Sequence, residues 1–225
     1  MVLTARFPSL RRCCSMAAKR RVRGRTEGGR SAKPTLLIVC EGETEYNYFK
    51  ELKSRFRASW MIPLKSDKPD PNGVMECAAR EAKKHCAKGL DVEAWILIDA
   101  ESEVEEKRRR YRDVLQKAAS KKIRAANSSP CFEYWLLLHF APGAKVYTPE
   151  EAVSELRRKD RIPEYRKPVL PYDQLWELYR AGGPSEAAVA RRAELSADGE
   201  TPIFGRPVTY VDMLVDRIVE ISKMK

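Results

Sequence analysis

The sequence predicts an α/β domain built on a mostly parallel central sheet, followed by a helical extension. Three observations carry that expectation. Two short apolar runs, Thr35 to Cys40 and Glu93 to Ile98, have the near-continuous hydrophobicity of strands buried on both faces. Each is followed by an amphipathic stretch, the alternation that places helices on both sides of a parallel sheet. Beyond about residue 145 no further strand pattern is evident, and four helical stretches occupy the remaining chain.

In chain order, Thr35 to Cys40 has five apolar residues in six, and Thr44 to Phe56 sets Tyr48, Phe49, Leu52 and Phe56 at helical spacing. Trp60 to Leu64 reads as a weak strand interrupted at Pro63, and Ser66 to Gly73 as a turn-rich loop. Val74 to Lys88 is Ala-rich and helical, Glu93 to Ile98 is the second strong strand, and Glu103 to Ser120 is a charged helix with Tyr111 on its apolar stripe. Lys122 to Ala126 reads as a short strand and Pro130 to Phe140 as a very apolar helix. The later helices are Pro149–Lys159, Pro171–Ala181, Pro184–Leu195 and Val208–Lys223. The organisation expected is a basic, disordered leader over 1–33, an α/β core over 34–144 and a helical extension over 145–225 packed on it.

The net charge of +11 is unevenly spread. Residues 1–34 hold ten Lys/Arg and one acid, so that segment carries +9, and the other 191 residues hold 33 bases against 31 acids. Such a basic arm suits capture of a polyanion, whereas the body is close to neutral. The run beginning Met16-Ala17-Ala18-Lys19 offers a second start of translation, and the arginines at 6, 11 and 12 break any secretory apolar core. No stretch approaches the eighteen apolar residues of a membrane span. Six cysteines include no Cys-x-x-Cys pair, and Cys77 and Cys86 lie about 180° apart on a helix, which argues against zinc and for cytoplasmic thiols.

Chemistry-bearing residues gather at the strand ends, where ligands bind in open parallel sheets. The first strand exits into Glu41-Gly42-Glu43-Thr44-Glu45 and the second into Asp99-Ala100-Glu101. If the two strands are neighbours, Glu41, Asp99 and Glu101 converge, and such hard carboxylate oxygens suit Mg²⁺ or Mn²⁺. Glu43 and Glu45 also suit a helix N-terminus, so their pattern alone leaves both roles open. In Asn127-Ser128-Ser129-Pro130, Ser129 suits an N-cap and Pro130 the first helical position. Glu133 fits the first turn, yet Asn127, Ser128 and Glu133 also lie where they would approach the same cleft. His139, six residues from Glu133, does not share its face. No phosphate-binding loop, dinucleotide fingerprint or nucleophile elbow is present.

Three segments resemble the RloB-like family: Leu37-Ile38-Val39-Cys40-Glu41-Gly42-Glu43-Thr44-Glu45-Tyr46-Asn47-Tyr48-Phe49, Trp95-Ile96-Leu97-Ile98-Asp99-Ala100-Glu101, and Asn127 through Phe140. The closing Pro207-Val208-Thr209-Tyr210-Val211 fits it as well. The resemblance implies a Toprim-like three-layer fold, with Glu41 as general acid/base or ligand and Asp99 and Glu101 holding metal. Glu101 departs from the aspartate of that pattern, which puts the coordination geometry in question. The activity implied is a Mg²⁺- or Mn²⁺-dependent nuclease acting on DNA or RNA in antiviral or abortive-infection defence, with Glu45, Asn127, Ser128, Glu133 and His139 as additional site candidates. An ATPase or other defence-system protein is the implied partner, no membrane is implied, and an oligomer is left open. The alternative is a non-catalytic module that binds nucleic acid or a defence partner on the same scaffold.

Overall fold

A computed structural model describes residues 33–100, 104–197 and 204–224. The leader expectation over 1–32 therefore lies outside the described residues; Lys33 is inside them, and its Nζ donates to the Ser222 carbonyl at 3.1 Å. The central sheet has four strands in the order β2-β1-β3-β4: β1 (Thr35–Cys40), β2 (Met61–Lys65), β3 (Val92–Leu97) and β4 (Arg124–Ala125). All pairings within it are parallel. Helices cover both faces, as a Toprim-like three-layer α/β domain requires.

The strands are buried because their side chains alternate between two apolar layers. Leu37 and Val39 of β1, with Ala94, Ile96 and Ile98, pack against α2 (Pro71–Ala87) and α3 (Glu105–Ser120). Leu36, Ile38 and Cys40, with Trp95 and Leu97, face the second layer. That layer contains α1 (Glu43–Arg55), α4 (Glu133–Leu138) and α8 (Val211–Lys223). Its core continues into α5 (Pro149–Leu156), α6 (Tyr172–Arg180) and α7 (Gly183–Ala197) through Ala152, Leu156, Leu175 and Ala188. The later helices thus share one continuous core with the sheet. At about 25 cal/mol per Å² of apolar surface buried, such shared burial is the main force holding them there.

Several boundaries differ from the sequence expectation. Pro63 does not interrupt β2. Trp60 accepts from Leu36 N–H at 2.7 Å and Ser66 N–H donates to Cys40 at 2.9 Å, so even-numbered residues bond β1 and Pro63 belongs to the outward set. On an edge strand its missing N–H costs no ladder bond. The loop expected over Ser66 to Gly73 ends early, because the Asp70 carboxylate accepts from the Asn72 and Gly73 N–H groups at 3.1 Å and Pro71 opens α2.

A second, two-stranded sheet was not anticipated. Strand β5 (Ser128–Ser129) pairs antiparallel with β6 (Val208–Thr209), joined also by the buried Ser128 and Thr209 hydroxyls at 2.9 Å. Ser129 is therefore a strand residue and not a helix cap; α4 begins only at Glu133, with Phe132 in the cap position. The expectation of no strand after residue 145 is likewise corrected by β6. On the far side, Arg192 of α7 grips Asp212 of α8 through two bonds of 2.7 and 2.6 Å and the Thr209 carbonyl at 2.6 Å. Burial raises the Asp212 carboxyl above its ordinary range, while the Arg192 guanidinium pulls against that shift.

Candidate functional site

Strands β1 and β3 are adjacent, so their carboxyl ends open side by side. Glu41 directly follows β1, and Asp99 lies two residues beyond β3. The Asp99 N–H donates to Glu41 Oε2 at 3.2 Å, so the two motifs meet. Asp99 also forms a parallel bridge to Ser128, and the Ala100 N–H donates to the Ser128 carbonyl at 2.9 Å. The β5 segment therefore forms a wall of the same place. Around Glu41 and Asp99 opens a cleft of about 790 Å³, whose lining includes Gly42, Glu45, Asn72, Lys107, Arg110, Tyr111 and Lys167.

A Cβ at Gly42 would lie 2.5 Å from Glu45 Oε2, so the Glu45 carboxylate folds back over the start of α1 and would have to shift to admit a side chain there. Glu45 is buried and on the cleft wall at once, whereas Glu43 is exposed and pairs with Lys65 at 3.9 Å. Glu101, the third carboxylate of the expected set, lies outside the described residues. The contact between the two motifs runs through the Asp99 backbone N–H; both carboxylates line the cleft, and among the described residues no group of three or more His, Cys, Asp or Glu side chains is placed to hold a metal ion.

The other candidates lie at different depths. Asn127 and Ser128 are buried behind Asp99, and the Asn127 carbonyl accepts from Tyr210 N–H at 2.9 Å. Glu133 is 1% exposed; its Oε1 accepts from the Tyr165 hydroxyl at 2.8 Å and lies 2.7 Å from Lys167 Nζ. Burial works to raise the Glu133 carboxyl, but the Lys167 ammonium outweighs it and the group is held below its ordinary range. His139 is turned into the core and does not line the cleft. Its Nδ1 donates to the Trp135 carbonyl at 3.0 Å and its ring meets Trp135 edge-on, with centroids 4.8 Å apart.

Sequence reading missed Lys167, Tyr165, Lys107 and Arg110 as site residues, and took Tyr111 for a core position. Tyr111 is 3% exposed yet lines the cleft, where burial first, then the Asp99 charge, push its hydroxyl well above the usual tyrosine range. Only its place on the buried stripe of α3, next to two cations one and four residues earlier, offered a signal. Lys167 sits between α5 and α6, where no periodicity points anywhere.

A model of RloB-like proteins matches residues 36–218, well over half of the chain. The chain belongs to the RloB-like family. Nothing among the curated proteins or the solved structures matches it. In this RloB-like protein, the matched span takes in every element from β1 into α8, including the cleft and the later helices that close its core. No described helix is long and apolar enough to cross a membrane.

The environment of His139 makes a testable statement about pH. Burial pushes its imidazole down to about 4, against weaker upward pulls from the Trp135 and Leu136 backbone. The folded state thus favours the neutral ring. The stabilisation is fully present above the unfolded value near 6.5 and is lost as pH falls toward 4. Between pH 7 and pH 5 this costs about 2 kcal/mol. The His139→Gln variant is expected to lose correspondingly less stability over that interval in denaturant titrations. Equal losses in both proteins would show that His139 is not held neutral.

Proposed function

We propose that this RloB-like protein is a divalent-metal-dependent nuclease, acting on nucleic-acid phosphodiesters in cytoplasmic antiviral or abortive-infection defence. The observation that carries the reading is the meeting of Glu41 and Asp99 at the carboxyl ends of adjacent parallel strands, inside a cleft whose walls present Lys107, Arg110 and Lys167. Two carboxylates lining one cleft suit a hard cation, and cationic walls suit a polyanion.

Glu41 and Asp99 would hold Mg²⁺ or Mn²⁺, with Glu101 two residues further along as the expected third ligand. When bound, the metal neutralises charge on the phosphate and makes water a usable nucleophile at neutral pH. Glu41, half-buried at the mouth of β1, would take the proton released as water attacks phosphorus, while the bond from phosphorus to the leaving sugar oxygen breaks and that oxygen departs with a proton from solvent. Lys107 and Arg110, one turn apart on α3, would bind flanking phosphates, with Arg110 exchanging its surface pairing with Glu106 for the phosphate. The basic leader is the expected arm for initial capture. Any nucleotide-driven step belongs to a partner ATPase or other defence-system protein, since the chain lacks a phosphate-binding loop of its own.

The test is incubation of the full chain with single- and double-stranded DNA and RNA in Mg²⁺, Mn²⁺ or chelator, beside calorimetric titration of each metal. Metal binding with chelator-sensitive cleavage is the expected result. A folded protein that binds neither metal and cleaves nothing would instead support the non-catalytic binding module.

A further inference from the structure

We propose that Lys167 is the anion anchor of this cleft, a site for one nucleic-acid phosphate, and that Glu133 and Tyr165 are the residues that position it. The proposal rests on the nuclease reading for the identity of the anion, but not for the existence of the anchor.

Lys167 lies on the loop between α5 and α6, far in sequence from the strand ends, yet its side chain reaches the cleft that holds Asp99. A lysine whose side chain is 55% exposed would ordinarily sample many rotamers in water. Here a carboxylate from the protein interior holds it: Glu133, 1% exposed, lies 2.7 Å from Nζ. The same oxygen accepts from Tyr165, itself 1% exposed, at 2.8 Å. The ammonium has three donors and spends one on Glu133, which leaves others for a ligand in the cleft.

The arrangement serves binding as well as stability. Glu133 keeps its charge inside the protein because Lys167 pairs with it, and its Oε2 is buried with no hydrogen-bond partner. The ammonium, in contrast, is delivered to an accessible surface and kept charged. Burial would lower its pKa, but the hydrogen bond and charge of Glu133, then the charge of Asp99, hold it above the ordinary lysine value. A fixed cation on the cleft that Asp99 also lines is where an incoming phosphate would be drawn toward the carboxylates. Fixing it beforehand spares the ligand the entropy of ordering a lysine.

The experiment is fluorescence anisotropy of labelled single-stranded oligonucleotides, DNA and RNA, in chelator, so that neither metal nor cleavage contributes. Wild type is compared with Lys167→Met, Lys167→Arg and Glu133→Gln across a salt series, with Tm measured for each. Lys167→Met is expected to weaken binding at least about tenfold and to flatten the log Kd against log salt slope by about one contact. Lys167→Arg should recover most of the slope. Glu133→Gln should fall between them, because the lysine is retained but no longer held by a charge. Calorimetric Mn²⁺ affinity should not fall in Lys167→Met, because the change removes a positive charge from the cleft.

Binding by wild type with an unchanged affinity and slope in Lys167→Met would overturn the anchor and leave the nuclease reading standing. Loss of oligonucleotide binding in Lys167→Met, together with no cleavage by wild type in any metal, would support the anchor and sink the nuclease. Failure of wild type to bind any oligonucleotide would overturn the anchor outright.

Discussion

Replacing Asp99 with asparagine is expected to abolish metal-dependent cleavage, lowering it by about 100- to 1000-fold, while the protein stays folded. Asparagine has the shape of aspartate, and the contact that joins the two strand ends uses the Asp99 backbone N–H, which the substitution keeps. What is lost is one negative charge beside Glu41. Lewis-acid stabilisation by a bound cation supplies several kcal/mol, and each tenfold in rate corresponds to about 1.4 kcal/mol, which sets the size of the effect. Calorimetry should show Mg²⁺ and Mn²⁺ binding weakened in parallel. A variant that cleaves at the wild-type rate with unchanged metal affinity would remove Asp99 from the proposed site. One that keeps metal affinity but loses cleavage would assign Asp99 to substrate positioning instead.

Trp135→Ala is expected to be the most destabilising single truncation, by about 3 to 5 kcal/mol. The Trp135 side chain is 0% exposed and heads the fully buried side chains by volume. It sits on α4, whose six residues are all buried, so no face of that short helix can yield to fill a void. Its ring also forms the edge contact that holds His139. For a domain of this size the loss should lower Tm by on the order of 10 °C. Val169→Ala, on a side chain left mostly exposed, is the matched control and should move Tm little. A Trp135→Ala variant as stable as that control would contradict the core described here.

Long elements were legible in the sequence because their burial writes itself into composition. A strand covered on both faces must be apolar at successive positions, and β1 and β3 are. From those two strands the meeting of Glu41 and Asp99 followed on one further condition, adjacency, and the β1–β3 register meets it. Two-residue strands leave no such trace: β5 and β6 are too short for any period, so Ser129 read as a helix cap when its backbone was committed to Val208. Pro63 read as a break because sequence does not reveal which side of an edge strand a backbone nitrogen faces. Asp70-Pro71, in contrast, was a readable cap and first-turn pair hidden inside a loop assignment. Lys167 was beyond reach for another reason. Its role depends on which carboxylate it meets after folding, and Glu133 is 34 positions away with two elements' worth of chain between them.

The outward-facing nitrogen of Pro63 has a consequence for how copies of this protein meet one another. Strand β2 is the rim of the sheet, and a rim with a full row of free donors invites a strand from another molecule to pair with it. At Pro63, itself buried, that row has a gap in its middle where an incoming backbone would find no donor. The same residue that costs the domain no internal bond thereby blunts sheet-to-sheet polymerisation, a safeguard against aggregation at high local concentration.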